Sequence, residues 1–145
     1  MKTVSYHQIA APESDYLYVG NSRLPDAGKG LFTAIDIFKD ERIAIFHGKK
    51  LTGAQAAKRA AQSLDQYFMV LPDGRILDCR TFDGFAKYAN DASAYLDGGK
   101  NNAEIAFDDE HHVSLIALRR IKTGEEIFCG YGKSYWKKHL RLMEQ

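Results

Sequence analysis

The sequence is poor in most features that would set it apart from an ordinary folded domain. It has two cysteines, Cys79 and Cys129. Two are too few for a disulfide framework and cannot alone complete a zinc cluster; reduced thiols inside a cell are the expectation. Three prolines leave no Pro-rich linker. No run of about 18 apolar residues occurs, so no membrane-spanning helix is expected. Neither charge dominates: 20 Lys+Arg against 19 Asp+Glu leave +1, which gives no reason to expect long-range attraction to nucleic acid or to a membrane surface. Residues 1–15 lack the apolar stretch of a secretion signal. The expected location is therefore intracellular: cytoplasmic in a bacterium, nuclear in a eukaryote or when directed to a host.

What is present is the material of one core. Apolar residues make up 45% and charged residues 27% of 145, enough to fold a single domain and too little for two. Twelve glycines mark turns about every ten residues between short apolar stretches, a rhythm of short strands. Strands are expected over residues 16–19, 31–34, 42–46, 67–71, 75–78, 103–107, 113–118 and 126–128. Pro72-Asp73-Gly74 fits a hairpin turn. Thr52 followed by Gln55 opens an Ala-rich stretch, so a capped helix is expected over 52–62. A second helix is expected over 134–145, with Trp136, Leu140 and Met143 on one face. Residues 1–15 read as a loose arm, residues 16–133 as a mostly β domain and residues 134–145 as a helix packing on it.

Most polar clusters carry no specific chemistry. Asp108, Asp109, Glu110, His111 and His112 form a polar run between two strands, the composition of a solvated hairpin tip, and no metal is assigned to them. Lys137, Lys138 and Arg141 fit a solvated helix face. Gly28-Lys29-Gly30 lacks the spacing of a nucleotide-binding loop. Residues 124–132 place Tyr131 between Gly130 and Gly132 just after a strand, where the backbone can approach closely and the ring can point into a site.

Four segments taken together say more. Ala27-Gly28-Lys29-Gly30-Leu31-Phe32, then Phe46-His47-Gly48, then residues 78–90, then residues 124–132 resemble, in order and separation, the motifs of the SET-domain lysine methyltransferases. The resemblance covers roughly residues 16–136. It implies a SET-type (β-clip) fold, with short sheets around a pseudoknot-like crossing of the Asn90 and Tyr131 segments. It implies S-adenosylmethionine as cofactor, held by Lys29, Gly30, Leu31, Lys87, Tyr88, Asn90, Asp91 and Tyr131, with Trp136 against the adenine. Tyr131 would be the catalytic phenol. Phe46, Tyr67 and Cys129 would line the channel for the substrate lysine. Asp91 stands where the family usually has histidine, Phe46 where it often has tyrosine, and Cys129 where it has an aromatic. The smaller Cys129 implies a roomier channel end and addition of more than one methyl group. The zinc-binding flanks of many members are missing, as in compact bacterial and viral members, some of which pair as homodimers.

The implied chemistry suits these residues. An ammonium has no lone pair, so the substrate lysine must be neutral, and a dry channel lowers its pKa. Holding amine and methyl in line is worth an effective molarity of about 10^5 M or more. A direct displacement requires neither metal nor covalent intermediate. The expected partner is a lysine-bearing protein, histone-like among others. Two rival readings remain open: a SET-fold module that has lost catalysis, and an unrelated β domain that binds a partner through exposed aromatics.

Overall fold

The computed structural model describes residues 7–71, 74–94, 100–108 and 112–130. Tyr131, Trp136 and the helix expected over 134–145 lie outside these residues. The described chain is mostly β. Its elements are β1 (His7–Gln8), α1 (Glu13–Tyr16), β2 (Leu17–Asn21), β3 (Lys29–Thr33), β4 (Glu41–Ile45), β5 (Lys49–Leu51), α2 (Gly53–Ala61), β6 (Phe68–Val70), β7 (Ile76–Asp78), β8 (Ala103–Phe107), β9 (Val113–Ala117) and β10 (Glu126–Ile127). Single 3-10 turns cover Ala86–Tyr88 and Ala92–Ala94.

Three small sheets share the core, with strand orders β1-β4-β9-β8, β10-β3-β2 and β5-β7-β6. The inward faces of β3, β4, β8, β9 and β10 supply Leu31, Ile43, Ile105, Leu115 and Ile127 to one apolar cluster, which also takes Phe46, Met69, Cys79 and Cys129. A smaller cluster of Leu51, Ala56, Phe68, Val70 and Ile76 packs α2 onto the third sheet. The expected capping box is formed at the start of α2. Thr52 Oγ1 accepts from Gln55 N at 3.2 Å, and Thr52 N donates to Gln55 Oε1 at 3.0 Å.

Three local features differ from the sequence reading. From His7 onward the N-terminal segment is fastened: β1 runs parallel to β4, and the Tyr16 hydroxyl donates to Ile43 O at 2.7 Å. The tyrosine's reach across to β4 is a tertiary contact that local periodicity does not carry. β5 pairs with β7 although two of its three residues are lysines, because Gly48 lets the two chains close up: a Cβ there would stand 2.6 Å from Asp78 O. The hairpin after β8 is not solvated at its base. Asp108 is fully buried and accepts from Arg42 Nη1 at 2.9 Å, His112 N at 2.9 Å and Ser114 Oγ at 3.0 Å. The arginine comes from β4, so the sequence around Asp108 gives no sign of it.

Candidate active site

The segment that carries Phe128 and Cys129 is where distant parts of the chain meet. Cys129 N donates to Asn90 O at 3.0 Å, and both Asn102 N and Ala103 N donate to Phe128 O, at 3.0 and 2.9 Å. The resulting bridges, Asn90 to Phe128 and Ala103 to Cys129, are parallel. Asn102 clamps the same segment with its side chain: Nδ2 donates to Glu126 O at 2.9 Å, and Oδ1 accepts from Phe128 N at 2.8 Å. One short stretch is thus flanked by β3 through β10, by Asn90 before the 91–101 loop, and by Asn102 after it. Tyr131 follows two residues beyond Cys129.

Asn90 is fully buried, and its amide is oriented by what surrounds it. Nδ2 donates to Lys29 O at 3.0 Å and lies 3.5 Å from Glu126 Oε2. An amide turned the other way would set its oxygen against a carbonyl and a carboxylate. Oδ1 is therefore directed away from them. It is buried and has no hydrogen-bond partner among the described residues. A buried acceptor left unmade costs about 1–3 kcal/mol, so this oxygen is suited to an N–H donor brought by a ligand.

Glu126 organises the strand beneath. Its carboxylate accepts from Ser22 Oγ at 2.6 Å and from Arg23 N at 2.7 Å. It also fills the space beside Gly30, where any side chain would collide with it. Lys29 takes part through its carbonyl; its ammonium turns away to Asn21 Oδ1 at 3.2 Å. Leu31, the third residue of that motif, is sealed in the core.

Asp91 is buried beside Asn90. Its Oδ1 accepts from Ser93 N at 3.0 Å, Ser93 Oγ at 2.6 Å and Asn101 Nδ2 at 3.0 Å, while Asn101 Oδ1 accepts from Ala92 N at 2.9 Å. The pair closes the 91–101 loop at its neck. Where the sequence reading puts Asp91 among cofactor ligands, its Oδ1 is engaged within the loop.

A second group stands on the turn that leads to Asn90. Tyr67 and Tyr88 meet edge to face, 5.2 Å between centroids. The Lys87 ammonium lies 5.1 Å from the Tyr67 ring and 5.5 Å from the Tyr88 ring, and donates to Phe82 O at 2.8 Å. Burial first, then Tyr88, raises the Tyr67 phenol above its ordinary pKa of 10.0. Tyr67 has φ of 75°, a left-handed conformation that costs a non-glycine residue about 1–3 kcal/mol and persists where surrounding contacts fix it. Phe46 and Cys129 belong to the main core cluster, which Tyr67 and Tyr88 border from outside. Burial, and after it the Asp91 charge, push the Cys129 thiol far above its ordinary range.

Ser22, Asn102 and Glu126 complete this arrangement and were not singled out from the sequence. Glu126 is buried through its pairing with β3 and its bonds to Ser22 and Arg23, the last two more than a hundred residues away, contacts that its own neighbourhood does not announce. Asn102 sits at the end of a Gly-Gly-Lys-Asn-Asn run that reads as plain loop, and its clamp depends on a strand far along the chain.

The model of the SET domain matches residues 28–132. Over 137 residues, 88% of this chain, the sequence is 26% identical to the protein named histone-lysine N-methyltransferase EZH2 of Chaetomium thermophilum. The chain spans 9% of that relative's length. Among solved structures, ctPRC2 in an autoinhibited conformation bound to S-adenosylmethionine superposes with a TM-score of 0.66 at 24% identity, over 89% of this chain and 16% of the other. Chaetomium thermophilum Polycomb Repressive Complex 2 bound to GSK126 gives 0.66 at 25%, over 88% and 17%. With its motif segments drawn together at Asn90 and a family match over 28–132, the chain belongs to the SET-domain family.

Proposed function

We propose that this chain is an S-adenosylmethionine-dependent protein-lysine N-methyltransferase. The observation that carries the reading is the buried Oδ1 of Asn90, which has no partner among the described residues and is fixed beside Lys29 at the start of β3, on a residue bridged to Phe128 in the segment that leads to Tyr131. S-adenosylmethionine fits that acceptor: its amino-acid end carries an ammonium that can donate to it. When bound, the cofactor supplies an electrophilic methyl group on a sulfonium.

The chain's own residues supply position and environment. Asn90 accepts the ammonium, and Lys29 and Gly30 offer backbone to the same ligand. Lys87 and Tyr88, braced by Tyr67, border it. Tyr131 provides the phenol that orients the incoming amine, an assignment supported by its place inside the family match over 28–132, and Trp136 the ring for the adenine, by resemblance of the segment that follows. Lysine enters uncharged because an apolar channel disfavours its ammonium. Bringing the amine and methyl together in line then removes most of the entropic barrier. The proposed substrate is a lysine of a histone or histone-like protein, since the curated relative is named a histone-lysine N-methyltransferase.

Incubation with tritiated S-adenosylmethionine and histone or whole-cell protein, followed by peptide mapping, tests this. Label on a lysine side chain is the expected result. Tyr131→Phe should bind cofactor normally and turn over about 100-fold more slowly, the effect of losing one positioned donor. Cofactor binding without transfer to any protein pool would instead favour a catalytically silent module. Sedimentation of the purified chain tests the homodimer expected of compact members.

A further inference from the structure

The N-terminal segment and β4 enclose a cavity of about 190 Å3, with Ile9, Pro12, Glu13, Tyr16, Arg42 and Ala44 on its wall. Pockets that enclose a whole small-molecule ligand run to about 300–1,000 Å3, so this one is sized for a single side chain. Its charged groups are not equivalent. Arg42 is already engaged, its Nη1 donating to the fully buried Asp108 Oδ2 at 2.9 Å. The Tyr16 hydroxyl donates to Ile43 O at 2.7 Å, which leaves its oxygen as an acceptor. Glu13 accepts from Ile45 N through Oε2 at 3.2 Å, and its Oε1 takes no hydrogen bond among the described residues. Burial raises the Glu13 carboxyl above its ordinary 4.5, against the pull of the Ile45 N–H, His47 and Arg42. The positive groups around this carboxylate do not make up for the water it has lost. Open acceptors beside an arginine that is already paired suit a cation carrying several donors.

The position of the cavity along the chain points to the source of that cation. The Glu13 carboxylate holds the backbone of Ile45, the residue before Phe46, which the sequence match puts on the lysine channel. Ala44, on the cavity wall, stands two residues from Phe46, about 7 Å along β4. A protein with one lysine in the channel has its neighbouring residues within that span. Resting on the methyltransferase reading above, we propose that this cavity is a second substrate subsite, in which Glu13 takes the ammonium or guanidinium of a basic residue close in sequence to the methylated lysine. Selection of lysines in basic surroundings then comes from one local carboxylate, in a chain whose net charge of +1 gives no long-range pull on a basic protein.

Two probes test the site directly: N-acetyl-arginine amide, and N-acetyl-citrulline amide, which has nearly the same shape without the charge. Titrated into the wild-type chain, the arginine probe should shift the NMR resonance of the Ile45 amide saturably, and the citrulline probe should not. Glu13→Gln, which keeps an acceptor for Ile45 N and removes the charge, should abolish the arginine response. Equal responses to both probes, or none to either, would overturn the proposal without recourse to any variant. Kinetics test the source of the cation. With histone as substrate, Glu13→Gln should raise KM about tenfold, the worth of a hydrogen bond to a charged group, and leave S-adenosylmethionine affinity unchanged. A KM equal to that of the wild type would overturn the assignment to substrate. If the wild type methylated no protein while Ile45 still answered the arginine probe, the methyltransferase reading would fall and the cation site would stand.

Discussion

Gly30 and Glu126 share a space that admits a carboxylate or a side chain at residue 30, but not both. A Cβ on Gly30 would overlap Glu126 Oε2 and stand 3.0 Å from Cδ and 3.2 Å from the Ser22 Cα. The backbone of Ser22 is held by its pairing turn, Ser22 N to Gly28 O at 2.8 Å, and the carboxylate by Ser22 Oγ and Arg23 N. Neither side has room to yield. Gly30→Ala should therefore destabilise the fold by about 1–3 kcal/mol, the usual cost of overpacking, and weaken cofactor binding by disturbing Lys29 O. Urea denaturation with a parallel binding titration measures both; an unchanged midpoint would show that Glu126 can move aside.

The orientation of the Asn90 amide yields a comparison of two variants. Asn90→Ala removes the hydrogen bond from Nδ2 to Lys29 O, a net loss of about 0.5–1.5 kcal/mol. Asn90→Asp places a second acceptor against Lys29 O and a second carboxylate beside Glu126, at about 3–5 kcal/mol if it stays charged. Thermal unfolding at neutral pH should rank Asp below Ala. The reverse order would mean that the amide is turned over and that Oδ1 is not the free acceptor.

Much of this frame was legible from local sequence. Thr52 and Gln55 announced the start of α2, and Gly28, Gly74 and Gly124 all turn with positive φ at expected breaks. Phe46-His47-Gly48 and the interval from Asp78 to Asn90 pointed to the family. What was not legible lies in pairs far apart in the chain. Ser22 and Glu126 are 104 residues apart, and Arg42 and Asp108 are 66 apart. Such contacts leave no periodicity in either neighbourhood. Asp91 shows the same limit from another side: the sequence marks it as a departure from the family pattern, but only the fold shows that Ser93 and Asn101 receive it.

Asp36 sets a pH dependence of stability. Its carboxylate accepts from Thr123 N at 2.9 Å, Thr123 Oγ1 at 3.1 Å and Arg120 Nη2 at 2.6 Å. These partners, the Thr123 amide first, lower its pKa from 3.8 to about 2. A carboxyl whose pKa is lower in the folded chain stabilises it above the unfolded value, and that contribution fades as pH falls toward the folded value. Asp36→Asn should be less stable than the wild type at pH 7. The difference should close between pH 3.8 and about 2. Denaturation midpoints across that range provide the check, and a gap independent of pH would assign the effect to geometry.

Both thiols should be inert in the folded protein. Burial pushes Cys79 from 9.0 up to about 12 and Cys129 higher still, and only a thiolate reacts. Iodoacetamide at pH 8 should leave the native chain unmodified and add two labels after denaturation, as read by intact mass. Rapid labelling of one native thiol would place it at an open surface.

Because Asn90 and Ser22 receive Glu126 and Cys129 only from a strand made near the end of the described chain, the order of synthesis matters. A ribosome will have delivered every strand of the β1-β4-β9-β8 and β5-β7-β6 sheets before the ligand-facing part of the molecule can close. A nascent chain stopped before that strand carries Ser22 and Asn90 without their partners Glu126 and Cys129. Activity should thus appear late and abruptly during translation, and proteolytic loss of that strand should silence the protein while leaving most of its β structure to be recognised by quality control.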